Sequence, residues 1–182
     1  MRNTDIIAVS ILVCFSIIGL VPAGYGQAGD VNKYISDLKD PDANVRMSAA
    51  EELGAIKDQR AVDFLIATLK DKDTHVRIDA ARSLGFLKAP KAVEPLIAIL
   101  KDPDSTLRQT AARSLGFIND PKAVEPLLAL LKDKEPKVRE NAVSALGKIK
   151  DIRAFDALMA AQKDTDPNVQ KAATEALGNA TF

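Results

Sequence analysis

Glycine recurs at Gly54, Gly85, Gly116, Gly147 and Gly178, a constant step of 31 residues kept without insertion. Leucine precedes each one, at Leu53, Leu84, Leu115, Leu146 and Leu177. Alanine stands five residues earlier, at Ala49, Ala80, Ala111, Ala142 and Ala173. Aspartate opens each unit at Asp40, Asp71, Asp102, Asp133 and Asp164, and arginine follows at Arg46, Arg77, Arg108 and Arg139 before giving way to Gln170. The hexapeptide ARSLGF appears intact twice, at Ala81–Phe86 and Ala112–Phe117. A compact fold has no need of such a register. A stack of equivalent layers, each burying its neighbour, requires it.

Each unit carries two apolar stripes of helical period. Val93, Leu96, Ile97 and Leu100 form the first, with equivalents in the neighbouring units and an early copy at Val31, Tyr34, Ile35 and Leu38. Val76, Ala80, Leu84 and Leu87 form the second. Each stripe covers one face only, so neither helix can bury itself without neighbours. Asp42, Asp73, Asp104 and Asp166 fit helix N-caps, with Pro136 and Pro167 one residue later, at the first helical position. Asp58, Asp120 and Asp151 are placed to cap the first helices. The glycines are expected to end the second helices in a left-handed conformation. Pro95 and Pro126 fall inside first helices and predict a kink or an initial 3-10 turn there.

A two-helix unit with proline in its first helix, followed by D-x-D-x-x-V-R-x-x-A-A-x-x-L-G, resembles the HEAT repeat, in the short form first associated with phycobilisome lyases. The resemblance covers Val31 to about Ala180. It implies an all-α fold, a right-handed α-solenoid of five stacked helix pairs at about 31–57, 61–88, 92–119, 123–150 and 154–180, with the V-R helix on the concave side. It also makes Asp40, Arg46, Asp71, Arg77, Asp102, Arg108, Asp133 and Arg139 a structural ladder, each guanidinium bridging to a loop aspartate of its own or the adjacent repeat; an anion-binding column is the other reading. In the last unit Gln170, Gln162 and Thr174 replace Arg or apolar residues, which suits a unit with water on one side.

Positions that vary between layers are free for recognition. Nine residues after the arginine the layers read Ala55, Phe86, Phe117, Lys148 and Asn179; five after, Glu51, Arg82, Arg113, Ser144 and Glu175; one after, Met47, Ile78, Gln109, Glu140 and Lys171. Met47, Ile78, Arg82, Phe86, Arg113 and Phe117 are therefore the candidate protein-binding residues, since aromatics and Arg dominate interface energy. The other reading of Phe86 and Phe117 is packing over the adjacent helix.

The first 28 residues are a different material. Arg2 precedes sixteen uncharged residues, Ile6–Val21, and small residues follow. That is the layout of a signal peptide, with cleavage after Ala23 or Ala28, or of an uncleaved membrane anchor. Residues 29–182 form the repeat domain. Cys14 is the only cysteine, so a processed chain carries none, which suits an oxidising compartment. Lys+Arg 25 balances Asp+Glu 25, giving no electrostatic reason to expect nucleic acid as partner. His75 is the only histidine, no paired His-Glu ligands occur, and each glycine stands singly, so neither a metal centre nor a phosphate loop is expected. The expectation is an exported, monomeric scaffold without cofactor that binds another protein or peptide on the concave face of its second helices, touches membrane only through an uncleaved leader, and is not an enzyme; the alternatives are a membrane-anchored assembly accessory and an enzyme relative of the lyase or hydroxylase type without the metal-ligand histidines.

Overall fold

The computed structural model describes residues 27–179. The expected leader up to residue 26, with the Ala23 cleavage position, lies outside the described residues, whereas the Ala28 position falls within them. Ten α-helices and no strand occur among the described residues: α1 (Gln27–Asp37), α2 (Ala43–Ile56), α3 (Val62–Thr68), α4 (Thr74–Phe86), α5 (Val93–Ile99), α6 (Ser105–Ile118), α7 (Val124–Leu130), α8 (Pro136–Ile149), α9 (Phe155–Ala161) and α10 (Pro167–Gly178). They alternate as first and second helices of five pairs, an α-solenoid. Val31–Phe182 forms one unit, separate from Met1–Asp30.

The helix starts follow from the aspartates. Asp42, Asp73, Asp104 and Asp166 each accept a hydrogen bond from the first-turn N–H groups of α2, α4, α6 and α10. Pro136 and Pro167 occupy the first positions of α8 and α10. A 3-10 turn opens the first helix of repeats two to five, at Gln59–Ala61, Pro90–Ala92, Pro121–Ala123 and Ile152–Ala154. Pro95 and Pro126 do not cause it. The turn precedes them, and it is equally present in the repeats that have Phe64 and Ala157 at that place. Both prolines stand third in α5 and α7, in the first turn, where an N–H has no partner within the α-helix.

Four of the five glycines do not end the second helices; only Gly178 is the last residue of its helix. Gly54, Gly85, Gly116 and Gly147 lie inside α2, α4, α6 and α8, and the left-handed residue comes three positions later, at Lys57, Lys88, Asn119 and Lys150, with φ of 58°, 47°, 62° and 55°. The reason for glycine is contact between layers. A Cβ at Gly85 would stand 2.7 Å from Ser114 Oγ and 2.8 Å from Ser114 Cα. Gly54 meets Ser83, Gly116 meets Ala145 and Gly147 meets Ala176 in the same way, whereas Gly178 has nothing within 4 Å. Ser83 Oγ donates to Ala50 O at 2.7 Å and Ser114 Oγ to Ala81 O at 2.8 Å, which ties α4 to α2 and α6 to α4 through buried hydrogen bonds.

Leu53, Leu84, Leu115 and Leu146 are each 0% exposed between the layers, and each such burial is worth about 1.5–3 kcal/mol. The first helices of successive repeats stand apart. Clefts separate α7 from α9 (about 620 Å3, lined by Leu128, Ala129, Ala157 and Ala160) and α5 from α7 (about 400 Å3, lined by Ile97, Leu100, Pro126 and Ala129). Layers that touch at the second helices and gape at the first helices converge on the second-helix side, which makes that side the inner one.

Candidate functional site

The conserved spacing of aspartate and arginine builds a connection between layers. Arg46 donates Nε and Nη2 to the two carboxylate oxygens of Asp71 at 2.7 and 2.9 Å, and Nη1 to the carbonyls of Asp40 and Pro41 at 2.8 and 3.0 Å. Arg108 holds Asp133 and the carbonyls of Asp102 and Pro103 in the same geometry, and Arg139 holds Asp164 and the carbonyl of Asp133. Asp71, Asp102, Asp133 and Asp164 each also accept the N–H two residues on. Arg77 breaks the series. Its Nη2 donates to Thr74 Oγ1 at 2.9 Å and its Nη1 to the carbonyl of Asp71, and it makes no bridge to Asp102. Gln170 keeps half of the arginine's work, donating to the carbonyl of Asp164 at 2.6 Å. Burial raises the Asp71 and Asp133 carboxyls, but the guanidinium and the loop N–H outweigh it and leave both below the ordinary range. Asp164 lies below that range chiefly through its hydrogen bond from Arg139. With Arg46 and Arg108 only 4% and 7% exposed, these forks are filled by protein acceptors.

A different set of side chains is left at the inner side. The glycines bring α4 and α6 so close that Phe86 and Phe117, one residue after Gly85 and Gly116, stack with ring centroids 5.9 Å apart and a tilt of 36°. Phe86 is 42% exposed and Phe117 half-buried. The Arg113 guanidinium lies 5.4 Å from the Phe117 centroid and Lys148 Nζ 4.3 Å, both in cation–π range. Arg82 is tied to Asp79 at 2.9 Å, three residues earlier on α4. Burial pushes the Asp79 carboxyl up, Arg82 pulls it back and Glu51 adds to the rise. Burial pushes the Lys148 ammonium down, and the charge of Arg113 pushes it further.

The structure thus brings Arg82, Phe86, Arg113 and Phe117 to one face. Met47 is half-buried on α2 in the first layer. Ile78 does not belong to the face: it is 9% exposed and part of the core, because second helices touch each other at that position. Lys148 and Asp79 are additions. Lys148 continues the Phe86–Phe117 column into the next layer, and Asp79 stands at helical spacing from Arg82; both signals are in the sequence. No group of three or more His, Cys, Asp or Glu that could hold a metal occurs among the described residues.

The family model for HEAT repeats matches residues 31–105 and 93–178. The complex of CpcE and CpcF of phycocyanin lyase from Nostoc sp. PCC7120 is 32% identical, with 88% of this chain and 68% of that chain covered and a TM-score of 0.77. An engineered protein is 28% identical over 82% of this chain and 78% of its own, with a TM-score of 0.68. A computationally designed armadillo repeat protein for modular peptide recognition, 20% identical over 82% of this chain and 81% of its own with a TM-score of 0.61, shows the shared fold. No curated protein matches the chain significantly. The lyase corrects the expectation that a chain of this pattern is not an enzyme. That expectation rested on finding no convergent catalytic or metal-binding groups in the sequence, a ground that the likeness to a lyase overturns.

Proposed function

The chain belongs to the HEAT-repeat family, in its short phycobilisome-lyase-like form, and from that premise we propose that it grips a partner protein on its inner, second-helix face outside the cytoplasm. The observation that carries the reading is the Phe86–Phe117 stack. Positions required by the fold repeat in every layer; these two rings do not, since Ala55, Lys148 and Asn179 occupy their place in the other layers. An aromatic 42% exposed on the side where layers converge, with Arg113 and Lys148 against its neighbour, has the composition of an interface centre. Delivery across a membrane rests on residues 1–28, whose sequence supports either release or anchoring. Binding a protein is also a role consistent with enzymatic work in a complex such as the Nostoc lyase.

Partner recovery from envelope fractions tests the binding. With Phe86→Ala and Phe117→Ala together, the partner is lost while Tm falls by less than about 5 °C. A large drop in Tm would assign the rings to packing and remove the reading. N-terminal sequencing of the mature protein tests delivery. A start at Gly24 or Gly29 means release, a start at Met1 in the membrane fraction means anchoring, and a start at Met1 in the cytoplasm overturns export.

A further inference from the structure

Resting on that reading, we propose that the segment gripped is both acidic and apolar: a carboxylate seats between Arg113 and Lys148, and a hydrophobic residue about three positions away lies on Phe86. The argument starts from an unmatched charge. Arg82 and Arg113 hold the same place in adjacent layers. Arg82 is neutralised by Asp79, but the residue three before Arg113 is Thr110, which donates to its own helix at Thr106 O. Lys148 then brings a second cation to the same ring. Among the described residues neither Arg113 nor Lys148 makes an ion pair. Two cations on one aromatic ring repel each other; the Lys148 ammonium is pushed down by burial first and by the charge of Arg113 second. Both side chains are exposed and rest on the Phe117 ring, with their charges open to a ligand. An anion between them supplies the missing charge through two charge-assisted hydrogen bonds.

The surroundings define the rest of the ligand. On one side of the cation pair lies the exposed Phe86 ring, which asks for an apolar group. On the other a cleft of about 380 Å3 opens between α8 and α10, lined by Ser144, Lys148, Lys150, Ala172 and Glu175, and gives room for the chain to continue. Layers of packed helices are about 8–10 Å apart. A polyproline-II-like extended chain rises about 3.1 Å per residue with about three residues per turn, so side chains three apart share a face and fall on successive layers. An anionic bilayer fits less well. Asp79, Glu51 and Glu175 interrupt the positive charge on either side, net charge is +0, and an inward-curving face cannot be laid on a plane.

The test uses fluorescence anisotropy with the purified full-length protein and fluorescein-labelled octapeptides. Alternating Glu and Leu is the probe, alternating Gln and Leu removes the charge, and alternating Glu and Ser removes the apolar contact. The expected result is saturable binding of the Glu/Leu peptide, at least about tenfold tighter than either control. Lys148→Gln and Arg113→Gln each weaken it about tenfold. Thr110→Asp is the stricter variant. It copies into α6 the arrangement that α4 already tolerates, so the fold stands, and it should abolish the preference for Glu over Gln. Equal affinity for the Glu/Leu and Gln/Leu peptides overturns the proposal. So does a preference untouched by Thr110→Asp, absence of saturable binding, or sedimentation with phosphatidylglycerol vesicles in place of peptide binding. If partner recovery is lost with the phenylalanines but unmoved by Thr110→Asp, the gripping face stands and its acidic ligand falls. If both leave recovery unchanged, both fall.

Discussion

A methyl group added at Gly85 has nowhere to go, because the backbone of α6 already stands at the contact. Ser114 Cα would lie 2.8 Å from it, and a backbone atom cannot step aside as a flexible side chain can. Gly85→Ala is therefore expected to push two layers apart and cost about 1–3 kcal/mol. Gly178→Ala makes the same chemical change at the same place in the repeat, but meets no atom within 4 Å. There the gain in helix propensity remains, and stability should rise by about 0.5–1 kcal/mol. Urea unfolding of the two variants checks the contrast, and losses of equal size would refute the steric account. The glycines were legible as special but not for the right reason. A glycine at the end of an apolar stripe looks the same in sequence whether it turns the chain or admits a neighbour. The left-handed turn went instead to Lys57, Lys88 and Lys150, which no propensity marks for it, and to Asn119, whose type tolerates it.

The starts of four second helices were legible at Asp42, Asp73, Asp104 and Asp166, since cap, stripe and spacing agree there. What periodicity could not settle was the partner of each face. A stripe of period 3.6 says that one side of α4 is buried, not that Ile78 joins the core while Phe86 stays 42% exposed. The aspartate–arginine pairs show the same limit. Their spacing announced a connection between layers, yet Thr74 diverts Arg77 and one bridge is missing. This makes a graded prediction. Arg108→Ala removes a two-pronged contact with Asp133 and orphans the carbonyls of Asp102 and Pro103, and should cost about 2–3 kcal/mol. Arg77→Ala gives up contacts within its own loop only and should lower Tm clearly less. Thermal unfolding of the two variants side by side decides it, and equal losses would mean that the bridge to the next layer adds nothing.

Convergence of the layers on one side follows from small residues at the second helices and clefts between the first. That geometry turns a list of variable positions into a surface, and it explains why Lys148 was overlooked: its column was legible, but its approach to a ring in the preceding layer depends on how far the layers are offset. The ion pairs spread the same dependence over the whole stack and make it sensitive to acid. Asp58, Asp71, Asp73, Asp133, Asp151 and Asp164 all bind a proton less readily in the fold than at the ordinary carboxylate value of 3.8, Asp151 being lowered to about 2. Only Asp79, raised by burial, opposes them among the described residues. A group with a lowered folded value contributes its full stability above its unfolded value and loses it as pH falls through the folded one. Tm should therefore hold from neutral pH down to about 5 and then fall steadily toward pH 2. Protonation also leaves the 25 Lys and Arg without counter-charge, which adds repulsion in the same direction. The two causes separate in Arg108→Gln with Arg139→Gln. Without the guanidinium forks, Asp133 and Asp164 return toward ordinary values, so the variant is less stable at pH 7 but loses less on acidification. If its Tm runs parallel to that of the wild type between pH 5 and 2, the acid sensitivity belongs to net charge and not to the bridges between layers.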